Sequence, residues 1–143
     1  MSARPRAILG ERFEESVQFS AESIRAFATV VGDSNPLHHD DAAAARSRFG
    51  GLIASGTHSA SLLMALTASH FSRHAQPLGL EFKLHFHKAV YAGDTLKLAW
   101  TVSRVQAKPS LGGDLVWLDG EAINQRGETA LGASATLLVV DRK

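Results

Sequence analysis

Asp33 and His38 stand five residues apart in the segment Gly32-Asp33-Ser34-Asn35-Pro36-Leu37-His38. A carboxylate and an imidazole are side chains suited to moving protons near neutral pH. On a straight strand, residues i and i+5 point to opposite faces; on a helix they stand about 140° apart. Only a turn brings such a pair together, and Asn35-Pro36 supplies one. Pro36 fixes its own φ, and Asn35 can bond nearby backbone and stiffen the loop. Stiffness matters because catalytic groups act only when held in place. Asp33 and His38 are therefore the candidate acid/base pair. Taken singly, either residue is more often an ordinary loop residue, so the motif as a whole carries the reading.

The second candidate element is Ile53-Ala54-Ser55-Gly56-Thr57, ahead of an apolar helix. A helix N-terminus has N–H groups without intrahelical partners and a partial positive charge. Gly56 lets a ligand approach the backbone closely. Together these features suit a carbonyl oxygen that gains negative charge during a reaction. Gly56 and Thr57 are the candidate substrate-binding residues at this helix start.

The elements that must position these groups follow from periodicity and punctuation. Glu11 to Phe19 is short and mixed, and reads as a first strand. Ser20 caps a helix starting at Ala21, with Glu22 in its first turn. Ile24, Phe27, Ala28 and Val31 recur at helical spacing, and Gly32 ends the helix. Asp41 to Arg48 is Ala-rich and reads as a short helix. Thr57 to Phe71 is the main helix; with almost no charge, it is expected to be buried on most sides.

Four strands are expected after it. In Leu80 to Lys88, Leu80, Phe82, Leu84 and Phe86 alternate with Glu81, Lys83, His85 and His87, which predicts one dry face and one wet face. Thr95 to Val105 repeats the pattern. Leu115 to Asn124 and Thr129 to Val140 form a hairpin joined through Gln125-Arg126-Gly127-Glu128. Lys108 to Gly113 reads as a loop. Several long antiparallel strands with only one long apolar helix imply an α+β fold, with the sheet curling round that helix.

The totals narrow the classes. The chain has 143 residues, enough for one domain with a real core. Its 15 basic and 14 acidic residues leave a net charge of +1, so no dedicated nucleic-acid surface is expected. With no cysteine, disulfides, thiolate metal sites and a cysteine nucleophile are excluded. No window has the apolar length of a signal peptide or a membrane span, and the expectation is a soluble cytoplasmic protein without membrane partners.

GDSNPLHHD followed by RFGGLIASGTHSASLLMAL resembles the MaoC-like hydratase/dehydratase family, which includes the (R)-specific enoyl-CoA hydratases. AVYAGDTLKL and INQRGETALGASATLLV resemble the family's closing strands, so the likeness runs from about Phe13 to the end. It implies a single hotdog domain over 1–143, a homodimer, and reversible addition of water to a trans-2-enoyl thioester of CoA or an acyl carrier protein. No cofactor or metal is implied. By this resemblance Asp33 and His38 hold the water; Asp33 takes its proton and His38 protonates the α-carbon. Asn35 orders the loop and the water, which adds it to the candidate substrate-binding residues, and the Gly56 N–H holds the thioester carbonyl. Two positions depart from the common pattern: Ser55 stands where many relatives have His, and Ala89 where many have Pro. Both bear on pocket shape.

Other residues invite competing readings. His38 and His39 are adjacent, and one of them is expected to face the pocket. His58 either lines the pocket or is a core polar group, while His70 and His74 sit near the helix end. His85 and His87 share a strand face, but spacing places no third ligand, so a polar sheet face is favoured over a metal site. Ser55, Ser59 and Ser61 lack a nucleophile-elbow motif. Trp100 and Trp117 fall on strand patterns as core residues. Arg46 and Arg48 are equally a solvated helix end or a contact for CoA phosphates. Two alternative functions remain: a thioesterase on the same fold, and a non-catalytic acyl-thioester binding subunit.

Overall fold

The computed structural model describes residues 4–142. The expected domain runs over 1–143, of which 1–3 and 143 lie outside the described residues. Strand β1 (Arg12–Gln18) is followed by helices α1 (Ala21–Val31), α2 (Asp41–Arg46) and α3 (Gly56–Phe71). A 3-10 turn, Pro36–His38, lies between α1 and α2. Strands β2 (Gln76–Phe86), β3 (Thr95–Lys108), β4 (Gly113–Ile123) and β5 (Thr129–Val140) complete the order. All five strands form one antiparallel sheet in the order β1-β3-β4-β5-β2.

Local chemistry accounts for these boundaries. Ser20 Oγ accepts from the Ser23 N–H at 3.0 Å, capping α1, and Gly32 closes it in the left-handed region at φ 78°. Asp40 caps α2 through the N–H groups of Ala42 and Ala43. That helix ends at Arg46, two residues earlier than expected, because Ser47 returns to extended backbone and its hydroxyl bonds the Ala44 carbonyl. The expected loop at 108–113 is shorter than read: β3 reaches Lys108, β4 starts at Gly113, and a 3-10 turn links them.

Helix α3 is the centre of the core and touches all five strands. It buries Ala60, Leu63, Leu66 and Phe71 on several sides, as its lack of charge predicts. Trp100 on β3 is fully buried, and its indole N–H donates to the Leu63 carbonyl at 2.8 Å. This bond ties the sheet to the helix by satisfying a polar group that burial would otherwise leave unpaired.

Two strand readings need correction. In β2 only Phe82 and Leu84 pack on the core, while Leu80 and Phe86 are 57% and 56% exposed. The register shifts between Gly79 and Glu81, which takes Leu80 out of the ladder, while Phe86 is the last residue of this outer strand. Trp117 is not core either. It sits half-buried, with the Arg104 guanidinium 4.3 Å over its ring.

The far end of α3 carries a second polar anchor. His70 Nε2 and Glu11 Oε2 lie 2.5 Å apart, largely shielded from solvent, and His70 stacks on Phe13 at 3.8 Å. Burial works against the Glu11 charge, but the bonds from His70 and the Ile8 N–H, with the Arg4 charge, hold its pKa below the ordinary value. The His74 ring bonds the Arg6 carbonyl at 3.2 Å. These contacts fasten the segment before β1 to the end of α3.

Candidate active site

The loop after α1 folds as its residue types dictate. Asn35 Oδ1 accepts from the Leu37 N–H at 3.1 Å and caps the 3-10 turn that Pro36 opens. This turn carries His38 back toward Asp33. The segment leading into α3 is then stitched to it: the Ile53 N–H donates to the Leu37 carbonyl at 3.1 Å. On its other side, the Ala54 N–H donates to the Val90 carbonyl at 2.8 Å. Three separate stretches of chain are thereby locked together at the N-terminus of α3.

Asp33 Oδ2 and His38 Nε2 stand 3.3 Å apart. The His38 side chain is 8% exposed and that of Asp33 31%. His38 Nδ1 lies 2.7 Å from the Ile53 carbonyl. A carbonyl only accepts, so Nδ1 carries the proton and Nε2 is the nitrogen left to exchange one. His39 turns the other way, and its Nε2 bonds the Asp33 backbone carbonyl at 2.6 Å. Of the two adjacent histidines, His38 thus faces the carboxylate while His39 braces the loop.

The Asp33 carboxylate has two further donors. Ser55 Oγ donates to Oδ2 at 2.8 Å, and the Asn35 N–H donates to Oδ1 at 3.1 Å. The Ser55 bond, then the Asn35 bond, then the nearby histidines hold the Asp33 pKa below its ordinary value. In sequence, Ser55 stands in the helix-opening element, departs from a family pattern and lacks a nucleophile-elbow motif, and none of these points to a bond with Asp33.

Beside this cluster lies a cavity of about 320 Å³ between the α3 N-terminus and the β2–β3 connection. Its walls include Ile53, Ser55 and Gly56 on one side, and Phe86, Lys88 and Val90 on the other. Asp33 and His38 are not part of these walls; they stand behind Ser55 and Ile53, to which they are hydrogen-bonded. Gly56 opens α3, one residue earlier than expected, and as the first helical residue its N–H has no intrahelical acceptor. A Cβ at Gly56 would lie 3.3 Å from the Phe86 ring, so glycine keeps this mouth open. Thr57 is exposed and lies outside the cavity wall. The structure therefore brings Asp33, His38, Asn35 and Gly56 into one region and leaves Thr57 aside.

The remaining candidates fall into place. His58 is buried in the first turn of α3, stacked on Phe27 at 4.4 Å and absent from the cavity wall; burial lowers its pKa. His87 lines the cavity, while His85 is exposed. Among the described residues, no group of three or more His, Asp or Glu could hold a metal ion. Also among them, no helix is long and apolar enough to cross a membrane. Arg48 lies 5.6 Å from the ring of Phe49, a residue of the cavity wall.

A five-stranded antiparallel sheet around a central helix defines the hotdog fold, and Asp33 and His38 are paired beside the helix tip. A family model described as "MaoC like domain" matches residues 8–111, and the chain belongs to that family. It is 30% identical over 115 residues to a 3-hydroxybutyryl-CoA dehydratase of Methylorubrum extorquens, covering 74% of this chain and 72% of that one. It is 32% identical over 88 residues to a mitochondrial 3-hydroxyacyl-[acyl-carrier-protein] dehydratase of Arabidopsis thaliana. That match covers 62% of this chain and only about half, 51%, of the plant protein. The unliganded R-hydratase PhaJ1 of Pseudomonas aeruginosa superposes with a TM-score of 0.85 at 26% identity, covering 96% of this chain and 86% of that one.

Proposed function

We propose that this protein hydrates trans-2-enoyl thioesters reversibly to (3R)-3-hydroxyacyl thioesters, as one hotdog domain in a cytoplasmic homodimer. The observation that carries the reading is the Asp33–His38 pair, 3.3 Å apart beside the tip of α3. The names of its relatives, dehydratases of CoA and acyl-carrier thioesters and an R-hydratase, support the substrate class.

The chemistry balances with these groups alone. Water attacks the β-carbon and gives a proton to the Asp33 carboxylate. The alkene electrons move toward the thioester carbonyl, whose oxygen is held by the Gly56 N–H. His38 enters this step as the imidazolium, with its Nδ1–H on the Ile53 carbonyl, and delivers the Nε2 proton to the α-carbon. The proton on Asp33 then returns to Nε2 across the short gap between them. Acid/base assistance of this kind typically contributes about 10²–10⁴-fold. Asn35 shapes the turn that aligns the pair.

A homodimer suits the free edge of the sheet. β2 is an outer strand, and Leu78 and Leu80 on it are about half exposed. An apolar edge of this kind is covered in stable proteins.

The test is crotonyl-CoA with a thiol reagent present. Loss of enoyl absorbance without free thiol supports the hydratase. Release of thiol would instead make the protein a thioesterase. Absence of both, over several chain lengths, would remove the enzyme reading in favour of a binding subunit.

A further inference from the structure

Ser55 occupies the N-cap of α3, yet its hydroxyl makes no cap bond there. Serine at such a position ordinarily accepts from the second or third N–H of the helix. Here the hydroxyl is turned away and donates to Asp33 Oδ2 at 2.8 Å. That is the same oxygen that faces His38 Nε2. Ser55 is 1% exposed to solvent but forms part of the cavity wall, which neither Asp33 nor His38 does.

Resting on the hydratase reading above, we propose that Ser55 is the positioning residue of the acid/base pair: it fixes Asp33 Oδ2 toward His38 Nε2 and links the carboxylate to the cavity. Asp33 otherwise has one backbone donor, the Asn35 N–H, on its other oxygen. With a donor on each oxygen, the carboxylate is held in one rotamer and favoured in its charged form. The titratable groups acting on it are His38 and His39, and both also favour its charge. Without Ser55 the carboxylate is free to turn about its terminal torsion, and only the Asn35 bond and the histidines oppose protonation.

The experiment compares wild type with Ser55→Ala, Ser55→Cys and Ser55→Thr. The Asp33 carboxyl is titrated by carbon-13 NMR, and kcat and KM for crotonyl-CoA hydration are measured across pH. In Ser55→Ala the Asp33 midpoint moves up, and the acidic limb of kcat/KM moves up with it. At neutral pH kcat falls roughly tenfold or more, the usual scale for a hydrogen bond to a charged group, while KM changes little. Ser55→Thr restores both readouts because it keeps the hydroxyl. Should Ser55→Ala melt at room temperature, Ser55→Cys replaces it, since a thiol is a weak donor of similar size. An Asp33 midpoint unchanged by removal of the hydroxyl overturns the proposal. A midpoint that moves in a protein with no hydration activity overturns the reaction assigned above, yet leaves the hold of Ser55 on Asp33 standing.

Discussion

The Ile53 carbonyl fixes the protonation pattern of His38. At 2.7 Å it can only accept from Nδ1, so the ring presents Nε2 to Asp33. The bond joins the loop after α1 to the segment before α3, which makes the state of a candidate catalytic nitrogen depend on how two distant stretches are stitched. A neighbouring bond from the Ile53 N–H to the Leu37 carbonyl holds the same two stretches in register.

Loss of either member of the pair is expected to abolish most turnover. Asp33→Asn keeps the shape but not the base, and His38→Ala removes the nitrogen. Each lowers kcat for crotonyl-CoA hydration by about 10²–10⁴-fold. Circular dichroism of both variants matches wild type. Near-full activity in either variant would show that the roles are misassigned.

Gly56→Ala is expected to damage function more than stability. Alanine fits the first turn of a helix, and the melting temperature stays within a few degrees. The new Cβ lies 3.3 Å from Phe86, however, and pushes that half-exposed ring into the cavity mouth. Hydration slows roughly tenfold or more, since small misplacements at a reacting centre are costly. Phe86→Ala in the same chain recovers activity; failure to recover would mean that the ring is not the cause.

Glu11→Gln tests the polar anchor at the opposite end of α3. The folded-state pKa of Glu11 is lowered, so its contribution is present above the unfolded value and is lost as pH falls through the folded one. At neutral pH the variant is less stable by about 1–3 kcal/mol, the scale for a hydrogen bond to a charged group. Urea melts in progressively more acid buffer bring the two proteins together. A gap that persists or widens in acid would contradict the assigned sign.

Leu80→Glu addresses the outer edge of the sheet. Leu80 is 57% exposed on β2, beside the register shift at Gly79. If this edge is the dimer contact, wild type sediments as a dimer and the variant as a monomer, with the β-sheet spectrum unchanged. A variant that remains dimeric places the contact elsewhere.

Much of this protein was legible along the chain because the causes are local. Ser20 and Gly32 bound α1 through bonds to their own neighbours, and β5 runs over the span its pattern predicts. The Asn35-Pro36 turn carries His38 back toward Asp33, since capping and a fixed φ act within a few residues. The long uncharged helix and the scarcity of other helices implied a sheet wrapped round it.

Tertiary structure decided what depends on residues far apart in sequence. Ser55 reaches Asp33 across 22 positions, and Glu11 reaches His70 across 59. Periodicity carries no information about such partners, because it records which face a side chain takes and not what it meets there. The same reason explains Leu80, Phe86 and Trp117: all are apolar and on strands, yet Leu80 sits at a bulge of an outer strand, Phe86 at that strand's end, and Trp117 on the face of β4 opposite the buried Val116 and Leu118. Local chemistry turns Asp33 and His38 toward each other, but the Ile53 carbonyl that orients the His38 ring, the Ser55 hydroxyl on Asp33 and the cavity beside them exist only once the chain has folded.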